Sequence, residues 1–223
     1  MNFKNLLVAM FLIFLNTGFA SRFSETASMI EYKYRFPGYL GVTCGYGATT
    51  WGYLIPPQGD DSEALILSTP IRVSENGTLW GLYGGYEVNH NFAFEAAYMH
   101  YPTAKVYFDP MSLFTFENNL AGFVTHTQAI SLVGKFMIVI PRNTDFRVYS
   151  SVGAAGIHRD DLLNNIWKLS PKFGVGLTYL ITEHMMAELG IEYVAGVGVS
   201  ELNPAESFIP FLYAGFGRIA MRL

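Results

Sequence analysis

Large apolar and small polar residues alternate along the stretch from Thr78 to Tyr101. A period of two places successive side chains on opposite faces of a β-strand. One face is bulky and aromatic. It carries Trp80, Leu82, Tyr86, Val88, Phe92, Phe94 and Tyr98 at alternate positions. The other face is small and rich in glycine, with Glu87 and Glu95 as its charged members. The stretch therefore predicts two strands that share one bulky apolar face.

The polar run Asn89–Asn91 separates the two strands and has the composition of a turn. If the turn is a three-residue loop, Val88 lies opposite Phe92 and Tyr86 lies opposite Phe94. Both strands then keep their bulky residues on the same side. The sequence thus predicts a β-hairpin with its tip at 89–91.

The same alternation recurs along most of the chain and predicts six further strands. They cover residues 39–50, 125–139, 145–157, 169–180, 185–193 and 208–223. Short turns at 89–91, 141–144 and 182–184 alternate with longer connections at 51–77, 102–122, 158–168 and 195–207. An even number of strands with short turns at one end and longer loops at the other is typical of outer-membrane barrels.

Three details of the connections are also predicted. Trp51 and Tyr53 follow the first strand and are expected to anchor it at a membrane interface. The apolar residues 64–67 are expected to pack over the mouth of the barrel, and residues 160–166 to form one helical turn.

The composition decides what surrounds these strands. The chain has 223 residues, of which 51% are hydrophobic and 14% charged, whereas soluble domains carry about 25% charged residues. No run reaches the roughly 20 consecutive apolar residues of a membrane-spanning helix. We therefore expect the bulky apolar sides of the strands to contact lipid and the small polar sides to line a narrow interior. The prediction is an all-β, eight-stranded, antiparallel, up-and-down transmembrane β-barrel. A soluble lipocalin-like carrier, the rival fold, requires a charged exterior that these strands lack.

The N-terminus has the features of a secretory signal peptide. Lys4 precedes an apolar run over residues 6–15, and small residues lead to a predicted cleavage site after Ala20. The predicted organisation is a signal peptide at 1–20, a short periplasmic segment at 21–38 and the barrel at 39–223. The net charge of −4 and the lack of a basic run exclude a nucleic-acid partner.

Charged residues on the inward faces are the most informative polar positions. They are Glu87, Glu95, Lys135, Arg147, Lys172, Glu188, Glu192 and Arg218. Buried charges must pair, and neighbouring strands offer Glu95 to Lys135 and Glu188 to Arg218. Arg147 is expected at the depth of Glu95, while Arg222 is expected near the exit. The preferred interpretation is a structural charge network that plugs the barrel, and the alternative is a gate or narrow polar conduit.

Three segments carry a resemblance to a known family: GYLGVTCGYGATTWGYL, WGLYGGYEVNHNFAFEAAYMHY and FLYAGFGRIAMRL. They resemble the OmpA-type and opacity-type small outer-membrane barrels. The resemblance implies a bacterial outer-membrane location, a role in envelope integrity and surface contact with host molecules. The segment at 208–223 is expected to be the last strand, with no peptidoglycan-binding domain such as some members of the family carry. It ends in Leu223, where such barrels usually end in phenylalanine.

Three functions are compatible with this pattern. The first is a structural and surface-interaction protein, acting through the loops at 52–77 and 102–122 and with lipopolysaccharide and envelope or host proteins as partners. The second is a narrow solute pore. The third is an enzyme that modifies lipid A, but neither His100 with Thr103 nor His126 with Gln128 has the spacing of a nucleophile and its base. We therefore expect a monomer with no catalytic residues, no cofactor and no metal.

Overall fold

The computed structural model describes residues 36–54, 70–109, 122–140, 143–198 and 208–223. The predicted signal peptide, its cleavage site and the apolar stretch 64–67 lie outside these residues. Ten strands are present in the described residues: β1 (Gly38–Thr49), β2 (Pro70–Ser74), β3 (Asn76–Asn89), β4 (Phe92–His100), β5 (Ala104–Phe108), β6 (Gly122–Ile140), β7 (Asn143–Asp161), β8 (Asn165–Leu180), β9 (Met185–Val194) and β10 (Leu212–Arg222). Among the described residues, no helix is long and apolar enough to cross a membrane.

Eight of these strands close into a barrel. They follow the order β6-β4-β3-β1-β10-β9-β8-β7, and the additional pairing of β6 with β7 completes the ring. Every pairing is antiparallel, so the predicted eight-stranded antiparallel barrel is confirmed. The first and last strands meet along their whole length, from Tyr39 opposite Arg222 to Thr49 opposite Leu212. Closure leaves these eight strands without an open edge in lipid.

The two remaining strands extend one wall of the barrel. The short strand β5 pairs with the start of β6 and continues the line of β4, and β2 pairs with β5. The β3–β4, β6–β7 and β8–β9 connections and both ends of the barrel chain lie at one end, which we call the turn end. The other end, which carries β2 and β5, is the loop end.

The two faces of the strands differ as the alternation predicts. Outward side chains such as Leu40, Leu132 and Leu189 are more than 60% exposed. Inward side chains such as Tyr83, Met99 and Ala129 are buried. A sheet with an apolar exterior and a filled interior is stable in lipid and not in water.

The structure corrects the tip of the opening hairpin. Glu87 pairs with Ala93 as an inward pair, but Asn89 rather than Val88 lies opposite Phe92. The extra residue forms a β-bulge, and the connection shortens to two residues. The side chain of Asn89 accepts a hydrogen bond from the Asn91 backbone N–H at 2.9 Å, which stabilises the tighter turn. The predicted three-residue loop is therefore wrong.

The connection predicted at 158–168 is mostly strand. β7 continues to Asp161 and β8 begins at Asn165, so the predicted helical turn is wrong. The interface role of Trp51 is also wrong, because its indole is fully buried at the loop end of the lumen. The predicted loops at 52–77 and 102–122 contain the strands β2 and β5.

Candidate functional site

The barrel interior holds a set of buried charged side chains. Each predicted inward charge is at most 5% exposed: Glu87, Glu95, Lys135, Arg147, Lys172, Glu188, Glu192 and Arg218. Arg222 and Arg159 are each 1% exposed. The contacts between these side chains divide them into a central group, a group near the turn end and a pair near the loop end.

Lys135 of β6 lies between two carboxylates in the central group. Its Nζ is 3.4 Å from Glu95 Oε2 on β4, and it also contacts Glu188 Oε1 on β9. Glu188 comes from the opposite wall of the barrel, so the lysine spans the lumen. This contact is possible because an eight-stranded barrel is only wide enough for side chains to fill.

Arg218 of β10 contacts all three central glutamates. Its guanidinium lies 2.7 Å from Glu95 Oε1, 3.9 Å from Glu188 Oε2 and 3.4 Å from Glu192 Oε2. Lys172 of β8 lies 3.0 Å from Glu192 Oε2. The central group therefore joins three acids to three bases. The predicted partners of Glu95 and Glu188 are in contact, but each glutamate has a second basic partner.

Glu87 organises the group nearer the turn end. Its two carboxylate oxygens accept hydrogen bonds from Arg147 and Arg222, each at 2.8 Å. The sequence predicts Arg147 at the depth of Glu95, and Arg222 near the exit. Counting positions along a strand locates a Cα atom, whereas an arginine head group can lie several ångströms from it. Both guanidinium groups extend to Glu87.

Hydroxyl groups complete the coordination of the central carboxylates. Tyr39 donates to Glu95 Oε2 at 3.0 Å, Tyr101 to Glu192 Oε1 at 2.8 Å and Thr178 to Glu188 Oε1 at 3.1 Å. Sequence reasoning did not predict Tyr101, which directly follows His100 at the end of β4. Buried charges are tolerated only when their remaining hydrogen-bonding capacity is satisfied, and these hydroxyls contribute to that.

Aromatic rings support the central cations. Lys135 Nζ lies 4.1 Å from the centre of the Tyr149 ring, and the Arg218 guanidinium lies 4.0 Å from that of Phe216. The Tyr149 hydroxyl fits against two glycines on the next two strands, Gly176 of β8 and Gly190 of β9. A Cβ atom at Gly176 would lie 2.6 Å from that hydroxyl, and one at Gly190 would lie 2.5 Å from it. These inward glycines thus make room for the ring that lies under Lys135.

Two layers of side chains fill the lumen between the central charges and the loop end. The first is an apolar layer that includes Leu79, Met99, Ile157, Ile209 and Leu212. The second is a mouth cluster, which consists of Trp51, Ala104, Val106, Phe108, Phe123 and Phe208. The lumen is therefore occupied by packed side chains on the loop side of the charges.

Arg159 of β7 contacts two residues of the mouth cluster, Trp51 and Phe208. Its guanidinium donates to Asp161 Oδ2 at 2.5 Å and to the backbone oxygen of Phe208 at 2.8 Å, and it lies 4.6 Å from the Trp51 ring centre. The sequence interpretation missed this residue because it fell in a predicted loop. Continuation of the alternation past Ile157 would have revealed it as an inward position.

The histidines lie away from the lumen. His126 Nδ1 is 3.2 Å from Thr103 Oγ1, and the contact is exposed. From the sequence, Thr103 was considered with His100, but the structure places this threonine beside another histidine. His100 lies beside the Trp80 ring, with 5.6 Å between ring centres. Among the described residues, no group of three His, Cys, Asp or Glu side chains could hold a metal ion.

Comparison with known proteins gives a family match and several structural likenesses. The family model of the OmpA-like transmembrane domain matches residues 38–214. No curated protein matches the sequence. Neisserial surface protein A is 11% identical with a TM-score of 0.49, over 83% of this chain and 97% of that chain. The N-terminal β-barrel domain of Pseudomonas aeruginosa OprF is 14% identical with a TM-score of 0.46, over 84% and 98%. Outer membrane protein W of E. coli is 12% identical with a TM-score of 0.46, over 85% and 100%.

Proposed function

Because the chain belongs to the family of OmpA-like transmembrane domains and lies in the bacterial outer membrane, we propose that it is a closed, non-catalytic barrel. It stabilises the envelope and presents its extracellular end to envelope or host molecules. Short turns of outer-membrane barrels face the periplasm. The turn end is therefore periplasmic, and the loop end with its mouth cluster is extracellular.

The filled lumen is the observation that carries this proposal. Glu87 and its two arginines, the central acids and bases, the apolar layer and the mouth cluster follow one another along the barrel axis. A solute would have to separate several buried ion pairs and displace close-packed apolar side chains. Leaving one buried charge without its partner costs about 3–5 kcal/mol. This cost favours a structural charge network, consisting of the eight predicted residues together with Arg222, over a conduit.

The extracellular role is supported by apolar residues that extend beyond the barrel wall. Ile71 of β2, Tyr107 of β5 and Leu162 at the β7–β8 turn are 52%, 40% and 66% exposed. Apolar side chains exposed at the extracellular end are available for contact with a partner molecule.

Conductance in planar bilayers separates the closed barrel from the narrow pore. We expect the purified, folded protein to insert without producing discrete conductance steps. Glu95→Ala is the matched variant, because it removes one central acid and leaves the mouth cluster intact. We expect this variant to be silent as well. Reproducible single-channel steps from the wild-type protein would contradict the closed barrel and support the pore.

The pair Thr103 and His126 is the observation that favours the third function, since a hydroxyl beside an imidazole is the minimal form of an activated nucleophile. The pair is exposed to solvent, whereas catalytic pairs are usually enclosed by donors that stabilise the transition state. We expect the lipid A mass spectrum of cells overexpressing the protein to match that of cells expressing His126→Ala. Loss of an acyl chain with the wild-type protein alone would establish catalysis.

A further inference from the structure

Within the described strands, a group of polar side chains lies on the outer surface of the barrel above the apolar band. The register aligns five outward residues in a row across five adjacent strands. Trp80 pairs with His100, His100 with Gln128, Gln128 with His158 and His158 with Trp167. The row therefore consists of three hydrogen-bonding side chains with an indole at each end.

A second row lies directly above the first. Its members are Thr103, His126, Asp160 and Asn165, joined by the Thr103–His126 contact and by the pairing of His126 with Asp160 and of Asp160 with Asn165. Asn165 links the two rows, because its amide donates to Asp160 Oδ1 at 3.0 Å and its Oδ1 lies 3.1 Å from His158 Nε2. We call the two rows together the rim patch.

The rim patch lies where the headgroups of the outer leaflet begin. A strand tilted by about 40° gains about 2.5 Å of height per residue. Trp80 is ten residues from the turn at His90, and Trp167 is fifteen residues from the turn at Thr182. The first row therefore climbs from about 25 Å to about 38 Å above the periplasmic turns. The apolar band of such barrels is about 25 Å tall, so the patch begins at its upper edge.

The chemistry of the patch suits a sugar more than a simple anion. Imidazoles, amides and a hydroxyl can donate and accept hydrogen bonds to sugar hydroxyl and amide groups. The indoles of Trp80 and Trp167 are both 54% exposed and offer flat amphipathic surfaces at the two ends of the first row. Asp160 is the one formally charged member of the patch, so positive charge does not drive recognition.

We propose that the rim patch binds the sugar headgroup of lipopolysaccharide. The lipid surrounding the barrel supplies the occupant, because the patch is continuous with the lipid-facing surface below it. A glycolipid whose acyl chains lie against the apolar band places its sugars at the height of the patch. The proposal depends on the outer-membrane location and is independent of whether the lumen is closed.

The test is a binding titration with the folded protein in detergent micelles. Lipopolysaccharide is compared with phosphatidylglycerol, which is anionic but carries no sugar. The test variant combines His100→Ala, Gln128→Ala and His158→Ala. The control combines Tyr46→Ala, Tyr193→Ala and Tyr213→Ala, which are outward residues on the other wall of the barrel. The heat-dependent mobility of each variant in electrophoresis verifies that it is folded.

We expect the wild-type protein and the control to bind lipopolysaccharide at least about tenfold more tightly than phosphatidylglycerol. The test variant should lose this preference. Equal binding of lipopolysaccharide by the test variant and the wild-type protein would overturn the proposal and leave the patch to a protein partner or to solvent. Equal binding of the two lipids by the wild-type protein would overturn it as well.

Discussion

Substitution of Glu95 by alanine is the most informative perturbation of the lumen. The carboxylate receives Arg218 at 2.7 Å, Tyr39 at 3.0 Å and Lys135 at 3.4 Å. Its removal leaves the central group with two acids and three bases. Removing one partner of a buried ion pair costs about 3–5 kcal/mol. Lys135 retains Glu188, and Arg218 retains Glu188 and Glu192, so we expect a loss near the lower value, about 3 kcal/mol.

A double-mutant cycle isolates the electrostatic part of this loss. Lys135→Ala alone should also destabilise the barrel, because Glu95 and Glu188 both lose a base. The combination Glu95→Ala/Lys135→Ala restores the charge balance of the central group. We expect it to be more stable than the sum of the single effects predicts, with a coupling energy of about 1–3 kcal/mol.

The assay is urea unfolding in lipid vesicles, followed by the loss of the fast-migrating folded form in electrophoresis. Glu183→Ala is the control, because it makes the same substitution at an exposed position of the β8–β9 turn. It should change the unfolding free energy by less than about 0.5 kcal/mol. Unchanged stability of Glu95→Ala, or strict additivity in the cycle, would refute the proposal that ion pairs hold the lumen together.

Two further predictions concern the interior and the loop end. Gly190→Ala places a Cβ atom 2.5 Å from the Tyr149 hydroxyl and should lower the unfolding free energy by about 1–3 kcal/mol. Gly215→Ala is the control, because its Cβ atom meets no other atom within 4 Å, and it should leave stability unchanged in the same urea assay. Equal effects of the two substitutions would contradict the described packing around Tyr149. Glu75 accepts a hydrogen bond from the Gly52 backbone N–H, and burial raises the pKa of its carboxyl above the ordinary 4.5. The folded protein then holds this proton more tightly than the unfolded chain, and that stabilisation is lost as pH rises from about 4.5 through the raised pKa. The stability of Glu75→Gln relative to wild type should therefore increase with pH across this window, and a constant difference would contradict it.

The parts of the fold that follow from the sequence are those fixed by the contrast between lipid and lumen. Alternation identifies the lipid-facing residues because outward positions in the membrane are predominantly apolar and carry no charge. The same alternation places Glu95, Lys135 and Arg218 on the inward side of their strands. The barrel closure and the confinement of the charges to the interior could thus be predicted from the order of residues alone.

The sequence was less informative where that contrast ends. His158, Asp160 and Asn165 are outward residues above the apolar band, so their polarity resembled that of a loop and hid the ends of β7 and β8. Arg159 was missed for the same reason. The bulge at Val88 could not be predicted because a two-residue and a three-residue turn give both strands the same apolar face.

The ion-pair partners of long side chains could also not be predicted from the sequence. Arg147 and Arg222 meet at Glu87 although their positions along the strands suggested separate depths. Alternation determines the side of the strand on which a residue lies. An arginine side chain is long enough to contact any of several carboxylates on that side. Only the register of the closed barrel selects among them.

The central claim is that the lumen is closed, and labelling of an inward cysteine measures this directly. Ser131→Cys in a Cys44→Ser background places a thiol beside Lys172 in the central group, where the serine accepts a hydrogen bond at 3.1 Å. Leu162→Cys at the exposed β7–β8 turn is the control for reagent and access. We predict that a charged, water-soluble thiol reagent modifies the control within minutes and the lumen cysteine only after unfolding. Rapid modification of the lumen cysteine in the folded barrel would contradict the closed lumen.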